Sequence, residues 1–155
     1  MLAASAPGAP REQVVHGDGL AVMVERMPPP ERRAVVLIDP SYEVKSDYRT
    51  VVEALVEAQR RFRTGTFLLW YPVIERARTD ALLAALHAAG MPSQFRVELG
   101  LRPDAPGHGM TAAGVVVINP PWTLPEAAAT GLPWLAAALG AAGPVVAAWL
   151  VPPAS

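Results

Sequence analysis

The strongest constraint on the fold is an unbroken apolar run that stops on a carboxylate. Residues Ala34 to Tyr42 read A-V-V-L-I-D-P-S-Y. A short aliphatic run without alternation is typical of a strand buried on both faces, as in a parallel sheet covered by helices. Asp39 would lie at the carboxyl end, where open α/β sheets bind ligands, and Pro40 ends the pairing because it has no N–H. We call this segment the acidic strand end. The pattern alone leaves open that it is only a turn.

Composition indicates one globular domain. The chain has 155 residues, of which 52% are hydrophobic and 17% charged, so disorder over most of its length is not expected. The net charge of -1 gives no global attraction to nucleic acid, and such contact would need a local basic patch. The absence of cysteine excludes disulfides and thiolate chemistry and fits a cytoplasmic protein. Residues 1–10 are expected to be a disordered lead-in to a domain over 11–155.

One uncharged segment has the apolar character of a membrane span. It runs from Trp134 to Val151, but Gly140, Gly143 and Pro144 interrupt it where a spanning helix would have to continue. We therefore predict a helix, a turn and a buried strand, and no membrane partner.

Strand-like and helix-like segments alternate along the chain, which predicts a mainly parallel, doubly wound α/β sheet. Besides the acidic strand end, the predicted strands are Gln13–Asp18, Thr66–Tyr71, Phe95–Leu101, Gly114–Asn119 and Val145–Val151. The predicted helices are Leu20–Met27, one that Asp47 caps and that ends before Gly65, Thr79–Ala89, and one from Thr123 to Leu139 that is broken near Gly131 and Pro133.

Local signals refine these elements. Thr79 is the predicted N-cap of its helix, and T-L-P-E at 123–126 has the spacing of a capping box. Alternation in Phe95–Leu101 predicts a strand with one wetter face, near the sheet edge. The arginines of R-R-F-R at 60–63 complement a helix dipole or, alternatively, contact nucleic acid.

Two strands end in related tetrapeptides, Asp39-Pro40-Ser41-Tyr42 and Asn119-Pro120-Pro121-Trp122. Both approximate the acid-or-amide, Pro, Pro, aromatic motif of methyltransferases that act on exocyclic amines. An adenine N6 amine delocalises its lone pair into the ring. A carboxylate and a proline carbonyl that accept its two hydrogens would localise that pair, while an aromatic ring stacks on the flipped-out base. An isolated copy is more simply a strand followed by a rigid turn.

Trp70 and Tyr71 directly follow a buried strand. They either help line a base pocket or pack in the core.

Longer blocks of sequence extend the comparison over almost the whole chain. They are G-D-G at 17–19, L-I-D-P-S-Y-E-V-K-S-D-Y at 37–48, R-R-F-R-T-G-T-F-L-L-W-Y-P-V at 60–73, G-M-T-A-A-G-V-V-V-I-N-P-P-W at 109–122 and L-P-W-L at 132–135. With these blocks the chain closely resembles the later part of the bacterial 23S ribosomal RNA adenine-N6 methyltransferases, a family earlier described as involved in catabolism of external DNA.

The resemblance implies a class I, S-adenosylmethionine-dependent, Rossmann-like methyltransferase fold with 23S rRNA as its substrate. It implies that Asp39 is the catalytic residue and also contacts the cofactor, that Pro40 supplies the partner carbonyl, and that Tyr42 is the stacking ring. Asp18 and Gly19 match the contact to the adenosyl group. Asn119 to Trp122 would then be a strand end beside the pocket, where Asn119 and Trp122, with Trp70 and Tyr71, would contact substrate.

The chain departs from the family in three respects, one of which is that Ala113 replaces a small hydroxyl residue. Ser41 stands where the family usually has a second proline, and the family's long N-terminal half, with the first two strands and the glycine-containing cofactor loop, has no counterpart here. In the class I order the acidic strand end lies beside the absent first strand, so its apolar edge and Val14-Val15 would lose a neighbour. We therefore expect either a fragment of a longer protein or self-association through this edge.

Two other functions stay open at this point. One is a non-catalytic remnant that binds RNA or protein, and the other is methylation of DNA amines or use of external DNA.

The three histidines do not predict a metal site. His16, His87 and His108 lie on a predicted strand, helix and loop, without paired ligand spacing. His108, between two glycines, could approach the substrate.

Overall fold

The computed structural model describes residues 13–42, 47–105, 107 and 109–154, which form four helices and five strands. The predicted lead-in over 1–10 lies outside these residues. In chain order the elements are α1 (Gly19–Glu25), β1 (Val35–Ile38), α2 (Asp47–Arg61), β2 (Thr66–Val73), α3 (Arg76–Ala88), β3 (Gln94–Gly100), β4 (Ala112–Ile118), α4 (Leu124–Leu139) and β5 (Val145–Val151).

The five strands form one sheet in the order β1-β2-β4-β3-β5. β1 and β2 are parallel, and β4 is antiparallel to both β2 and β3. β1, β2 and β3 therefore point one way, while β4 and β5 point the other way. We call the edge where β1, β2 and β3 end the carboxyl edge, and the edge where they begin the amino edge.

The prediction of a mainly parallel sheet is wrong, because only the β1–β2 pair is parallel. Parallel neighbours need a crossover, usually a helix, whereas antiparallel neighbours need only a turn or loop. The connection between β3 and β4 contains no helix in its described residues, so β4 returns beside β3 as a hairpin. β3 lies next to the edge strand β5, but the wetter face predicted for it is absent, because none of its residues is exposed and its polar Gln94 and Glu98 are fully buried.

Helices cover the two faces of the sheet unequally. The main core lies between the sheet and α1, α2 and α3, with Leu55, Phe67 and Leu86 completely buried. A smaller core lies on the other face, where α4 packs on β3 through Leu132 and Phe95. Successive strand residues point to opposite faces, which explains why Phe95 belongs to one core while its neighbours face the other.

Three local predictions about the helices are wrong. The third helix begins at Arg76, so Thr79 is inside it, where its hydroxyl donates to the Pro72 carbonyl at 3.3 Å. Thr123 has αR backbone angles and makes no side-chain cap bond, so the capping box does not form. The final helix runs unbroken from Leu124 to Leu139 with Pro133 inside it.

The segment Gln13–Asp18 does not form the predicted strand. Asp18 is instead the N-cap of α1, and Val14 and Val15 are exposed. β1 has only β2 as a neighbour among the described residues, so there is no sheet partner for Val14-Val15 to join.

The uncharged C-terminal segment divides into a helix, a turn and a strand as predicted, but the strand is not buried, because β5 is at the edge of the sheet and has no buried residue. α4 ends at Leu139, Gly140 takes a left-handed conformation with φ 63°, and β5 follows. Within the described residues, no helix combines the length and apolar character that crossing a bilayer requires.

Candidate active site

The acidic strand end closes β1 at the carboxyl edge of the sheet. β1 ends at Ile38, which is buried, and Asp39 follows with its side chain exposed. Tyr42 takes a left-handed φ of 55°, and its hydroxyl donates to the Trp70 carbonyl at 2.6 Å. This hydrogen bond fastens the turn to the neighbouring strand β2. The backbone segment that carries the Asp39 side chain is therefore held in place.

Asp18 and Gly19 form the start of α1. The Asp18 Oδ1 atom accepts from the Leu20 N–H at 2.9 Å and from the Ala21 N–H at 3.3 Å. A Cβ built on Gly19 would meet no atom of the described residues within 4 Å, so packing does not require glycine there. The glycine at this position therefore has no explanation in the packing of the protein itself.

These two segments, separated in sequence, meet around one cleft of about 520 Å³. The cleft opens between the start of α1 and the end of β1. Sequence analysis missed Thr50, whose position in the first turn of α2 is its only signal. The lining residues are Asp18, Gly19, Leu20, Met23, Val36, Leu37, Ile38, Asp39, Pro40, Ser41 and Thr50.

Tyr42 is buried, with 7% of its surface exposed. Its ring centroid lies 4.7 Å from that of Tyr48 and 6.3 Å from that of Trp70, which is half-buried. Burial, followed by the nearby Tyr48 and Asp39 groups, raises the pKa of Tyr42, so its hydroxyl stays protonated as a donor. Stacking on a base would require a different position of this ring.

Asn119 and Trp122 lie at the other end of the sheet. Because β4 is antiparallel, Ile118 pairs with Phe67 near the start of β2, whereas Ile38 pairs with Leu69. Asn119 is therefore at the amino edge, offset from Asp39 by four strand positions, or about 13 Å along the strands. The predicted position of this strand end beside the pocket is wrong, because it assumed that all strands run in one direction.

The Asn119 side chain has a structural task at the amino edge. Its Nδ2 donates to the Thr64 carbonyl at 3.1 Å and to the Gly65 carbonyl at 3.3 Å. The backbone carbonyl of Asn119 accepts from the Thr66 hydroxyl at 2.9 Å. Asparagine also tolerates its left-handed φ of 53°. These contacts fasten the end of β4 to the start of β2.

Comparison with known proteins agrees with the resemblance. The model of the family described as "Ribosomal RNA large subunit methyltransferase D, RlmJ" matches residues 1–151. The chain belongs to this family.

Similar proteins are found among curated sequences and solved structures. Ribosomal RNA large subunit methyltransferase J of Escherichia coli K12 is 41% identical over 144 residues, which cover 92% of this chain and 51% of that protein. Its namesake in Haemophilus influenzae is 48% identical over 118 residues, covering 76% and 42%. The crystal structure of protein LPL1258 from Legionella pneumophila superposes with a TM-score of 0.78 at 34% identity, covering 86% and 50%. The chain spans about half the length of the relatives it matches.

An ionic cluster under α3 is the feature of this RlmJ-family chain that sequence analysis missed. Glu98 is fully buried, and its carboxylate accepts from Arg96 at 2.6 Å, from Arg76 at 2.9 Å and from the Tyr71 hydroxyl at 2.9 Å. Burial raises the pKa of Glu98, but these hydrogen bonds outweigh it and lower the pKa overall. Tyr71 is therefore a core residue, which is one of the two readings that the sequence left open.

Arg76 also links this cluster to the loop between β3 and β4. Its Nε donates to Asp104 at 2.6 Å, and Asp104 accepts from the Thr111 hydroxyl at 3.0 Å. The Thr111 N–H in turn donates to the Val73 carbonyl at 2.8 Å. The loop is thus held at the carboxyl edge. His108, which belongs to it, lies outside the described residues.

Two of the three histidines, His16 and His87, lie in the described part of the chain, on separate segments. His16 and His87 are exposed, on an irregular segment and on α3. No group of three or more His, Cys, Asp or Glu side chains within the described part of the chain is arranged to hold a metal ion.

Proposed function

We propose that this chain carries the amine-methylating site of an S-adenosylmethionine-dependent methyltransferase that modifies an adenine N6 of 23S rRNA. Membership of the RlmJ family supports transfer to ribosomal RNA. The fold we propose for the whole enzyme is the class I, Rossmann-like one. Strands β1, β2 and β3 run in the same direction, and the reversed β4 lies between β2 and β3. In this proposal they are the later strands of the class I sheet.

The observation that carries this proposal is the cleft that Asp18, Gly19, Asp39 and Pro40 share. A carboxylate followed by a proline at a strand end is common as a turn. The Asp18 carboxylate, 21 residues earlier in the sequence, lines the same cleft. The turn after β1 does not explain why this second carboxylate is there.

The lining of the cleft fits the methyl donor. Its volume of about 520 Å³ is within the range of small-molecule sites, roughly 300–1,000 Å³. Leu20, Val36 and Leu37 offer apolar surface to a purine, while carboxylates accept from the polar groups of an adenosyl ligand. The absence of a side chain at Gly19 allows that ligand to approach the backbone. S-adenosylmethionine, when bound, supplies an electrophilic methyl group.

Asp39 and Pro40 orient the amine. The Asp39 carboxylate and the Pro40 carbonyl accept the two N6 hydrogens, which directs the nitrogen lone pair out of the purine plane. When the amine accepts the methyl group that the cofactor would supply, it gives up a proton, for which the Asp39 carboxylate would be the adjacent acceptor. Asp39 is exposed at the mouth of the cleft, where a flipped-out base could reach it.

The test is transfer of labelled methyl from S-adenosylmethionine to unmodified 23S rRNA, followed by nucleoside analysis for N6-methyladenosine. We expect Asp39→Asn to lower the transfer rate about 100-fold or more at saturating cofactor. Asp18→Asn should mainly weaken cofactor binding. The matched control is Asp80→Asn, on the exposed part of α3, which should behave as wild type. No labelled product from wild type, or equal rates in wild type and Asp39→Asn, would overturn the proposal.

Tyr42 needs two variants, because its ring is buried. If the ring moves and stacks on the base, Tyr42→Phe keeps most activity and Tyr42→Leu loses it. If the hydroxyl only fastens the turn through its bond to the Trp70 carbonyl, Tyr42→Phe lowers activity as much as Tyr42→Leu does.

A further inference from the structure

Five arginines gather at the amino edge of the sheet, at the opposite end of β1 from Asp39. They line two clefts of about 290 and 500 Å³ that share Arg32 and Thr64. We call them the arginine patch: Arg32, Arg33, Arg60, Arg61 and Arg63. The patch combines the turn before β1 with the end of α2, so its density of charge arises from the fold and not from one run of sequence.

Part of this charge is compensated within the protein, and part is not. Glu57 accepts from Arg60 and Arg61 at 2.7–2.9 Å, and hydrogen bonds from these two arginines lower the pKa of Glu57 to about 2. Arg32, Arg33 and Arg63 are exposed and form no ion pair with the residues that the structure describes. The chain as a whole has a net charge of -1, so this excess is local.

Two further observations point to a ligand at this edge. Arg32 takes a left-handed φ of 51°, a conformation that arginine rarely adopts, in a turn closed by its N–H bond to the Pro29 carbonyl. Trp122 is 87% exposed. Its segment is held near the patch because the Asn119 side chain donates to the carbonyls of Thr64 and Gly65, the two residues that follow Arg63. Exposed arginines together with an exposed indole are the groups that hold phosphates and stack on bases.

We propose that the arginine patch and Trp122 form a second RNA-contacting surface, which holds a part of the substrate distant from the methylated base. This rests on the proposed function in so far as the ligand is RNA. Arg32, Arg33 and Arg63 contact phosphates, and Trp122 stacks on an unpaired base beside them.

The two surfaces are far enough apart to require a long substrate. Arg33 precedes β1 and Asp39 follows it, so they are separated by about 20 Å at the rise of an extended chain. A short RNA that fills only the site at Asp39 would not reach the arginine patch. A structured RNA of roughly 16 base pairs, the length that one double-stranded-RNA domain spans, would reach both.

The test uses dye-labelled RNA hairpins that present the same target loop on stems of increasing length, each stem ending in a short unpaired overhang. For the long hairpin at 0.1 M salt, we expect Arg32→Gln/Arg63→Gln to raise the Kd on the order of tenfold. It should also reduce the salt slope by about one for each lost phosphate contact. For the shortest hairpin, binding and methyl transfer should stay as in wild type. Trp122→Ala should weaken only the long hairpin, with the exposed Trp134→Ala as its control.

A charge-matched control distinguishes the patch from net charge. Arg78→Gln/Arg102→Gln removes two exposed or partly exposed arginines elsewhere and should leave the Kd within about twofold of wild type. An equal loss in this control, or equal Kd values for wild type and Arg32→Gln/Arg63→Gln, would overturn the proposal. So would loss of binding to vesicles of anionic phospholipid with unchanged RNA binding, since the patch would then serve a membrane.

The outcome is separable from that of the proposed function. If wild type transfers no methyl group but the long hairpin still depends on the patch, only the proposed function fails. If transfer proceeds and the patch variants match wild type at every stem length, only this inference fails.

Discussion

At the scale of single residues, Glu98 is the one charged residue that is fully buried in the described part of the chain. Its carboxylate is completely buried and is paired with two arginines that are only about a quarter exposed. If only the carboxylate is removed, the two partly buried guanidinium groups remain without a counter-charge. The free-energy cost of that uncompensated desolvation exceeds the net stabilisation that the intact ion pair provides. Glu98 therefore matters to stability mainly through what its removal would leave behind.

We expect Glu98→Gln to lower the free energy of unfolding by about 3 kcal/mol or more at pH 7. Urea denaturation measures it. The control is Glu75→Gln, which removes an acid that is 56% exposed from its pair with Arg78 and should change stability by less than about 1 kcal/mol. Similar small losses in both variants would show that the cluster is well solvated.

The same residue predicts a pH dependence. The pKa of Glu98 is lowered in the folded protein, so its contribution to stability is complete above the ordinary unfolded value of about 4.3. The contribution is lost as the pH falls through the lower folded value. Wild type should therefore lose more stability than Glu98→Gln between pH 5 and pH 3, measured by urea denaturation at each pH. Parallel curves would contradict the assignment.

At the scale of elements, β4 depends on a position without a side chain. A Cβ added to Gly114 would overlap the Tyr71 ring and hydroxyl on the neighbouring strand β2. The Tyr71 hydroxyl donates to Glu98 and accepts from Arg96, so moving the ring away would break these two hydrogen bonds. Close packing of the reversed strand against β2 thus rests on this glycine.

Gly114→Ala should destabilise the protein by roughly 1–3 kcal/mol through overpacking. Gly131→Ala in α4 is the matched control, since a Cβ there meets nothing within 4 Å. Alanine is the better helix former by about 1 kcal/mol, so the control should be stabilising. Thermal unfolding of the two variants should therefore shift in opposite directions, and a shift of both in the same direction would refute this account.

The elements also show what local sequence can and cannot predict. The apolar runs that became β1, β2, β4 and β5 were identifiable as strands, and in β2 and β4 every residue is buried or partly buried. The prediction that β1 is buried on both faces is wrong, because β1 is an edge strand with Val35 and Leu37 exposed, and β5, the other edge strand, has no buried residue. The direction of β4 was not predictable from local sequence, because a strand shows the same alternation and the same turn residues whichever way it runs in the sheet. Thr79 was predicted as a cap because threonine is common there, whereas the fold buries it against Pro72.

The same limit applies to the candidate site. Asp18 and Asp39 were singled out through blocks of resemblance, and the structure brings both to one cleft. The roles of Tyr71 and Asn119 depend on which strands lie side by side and in which direction. Such information comes from contacts between distant segments, and no local pattern around either residue contains it.

At the scale of the whole molecule, the edge strand β1 is exposed on one face. Val35 is 72% exposed and Leu37 68% exposed, and β1 pairs only with β2 among the described residues. An apolar strand edge of this kind is a template for pairing with another strand. We propose that the 155-residue chain, by itself, self-associates through β1.

Light scattering coupled to size-exclusion chromatography should show oligomers of the isolated chain that Leu37→Lys shifts toward monomer, since a lysine at an edge opposes strand pairing. Leu139→Lys is the matched control, because Leu139 is 55% exposed on α4, away from this edge. A cooperatively folding monomer of the unsubstituted chain would contradict the proposal.

The reversal of β4 also keeps the candidate site open. Were β4 parallel to β2, the Asn119-Pro120-Pro121-Trp122 turn would emerge at the carboxyl edge, with only β2 between β4 and β1. Its large exposed indole would then lie at the same edge as the cleft. In the observed direction the indole lies at the far end of the sheet, and the described residues that line the cleft include no aromatic side chain.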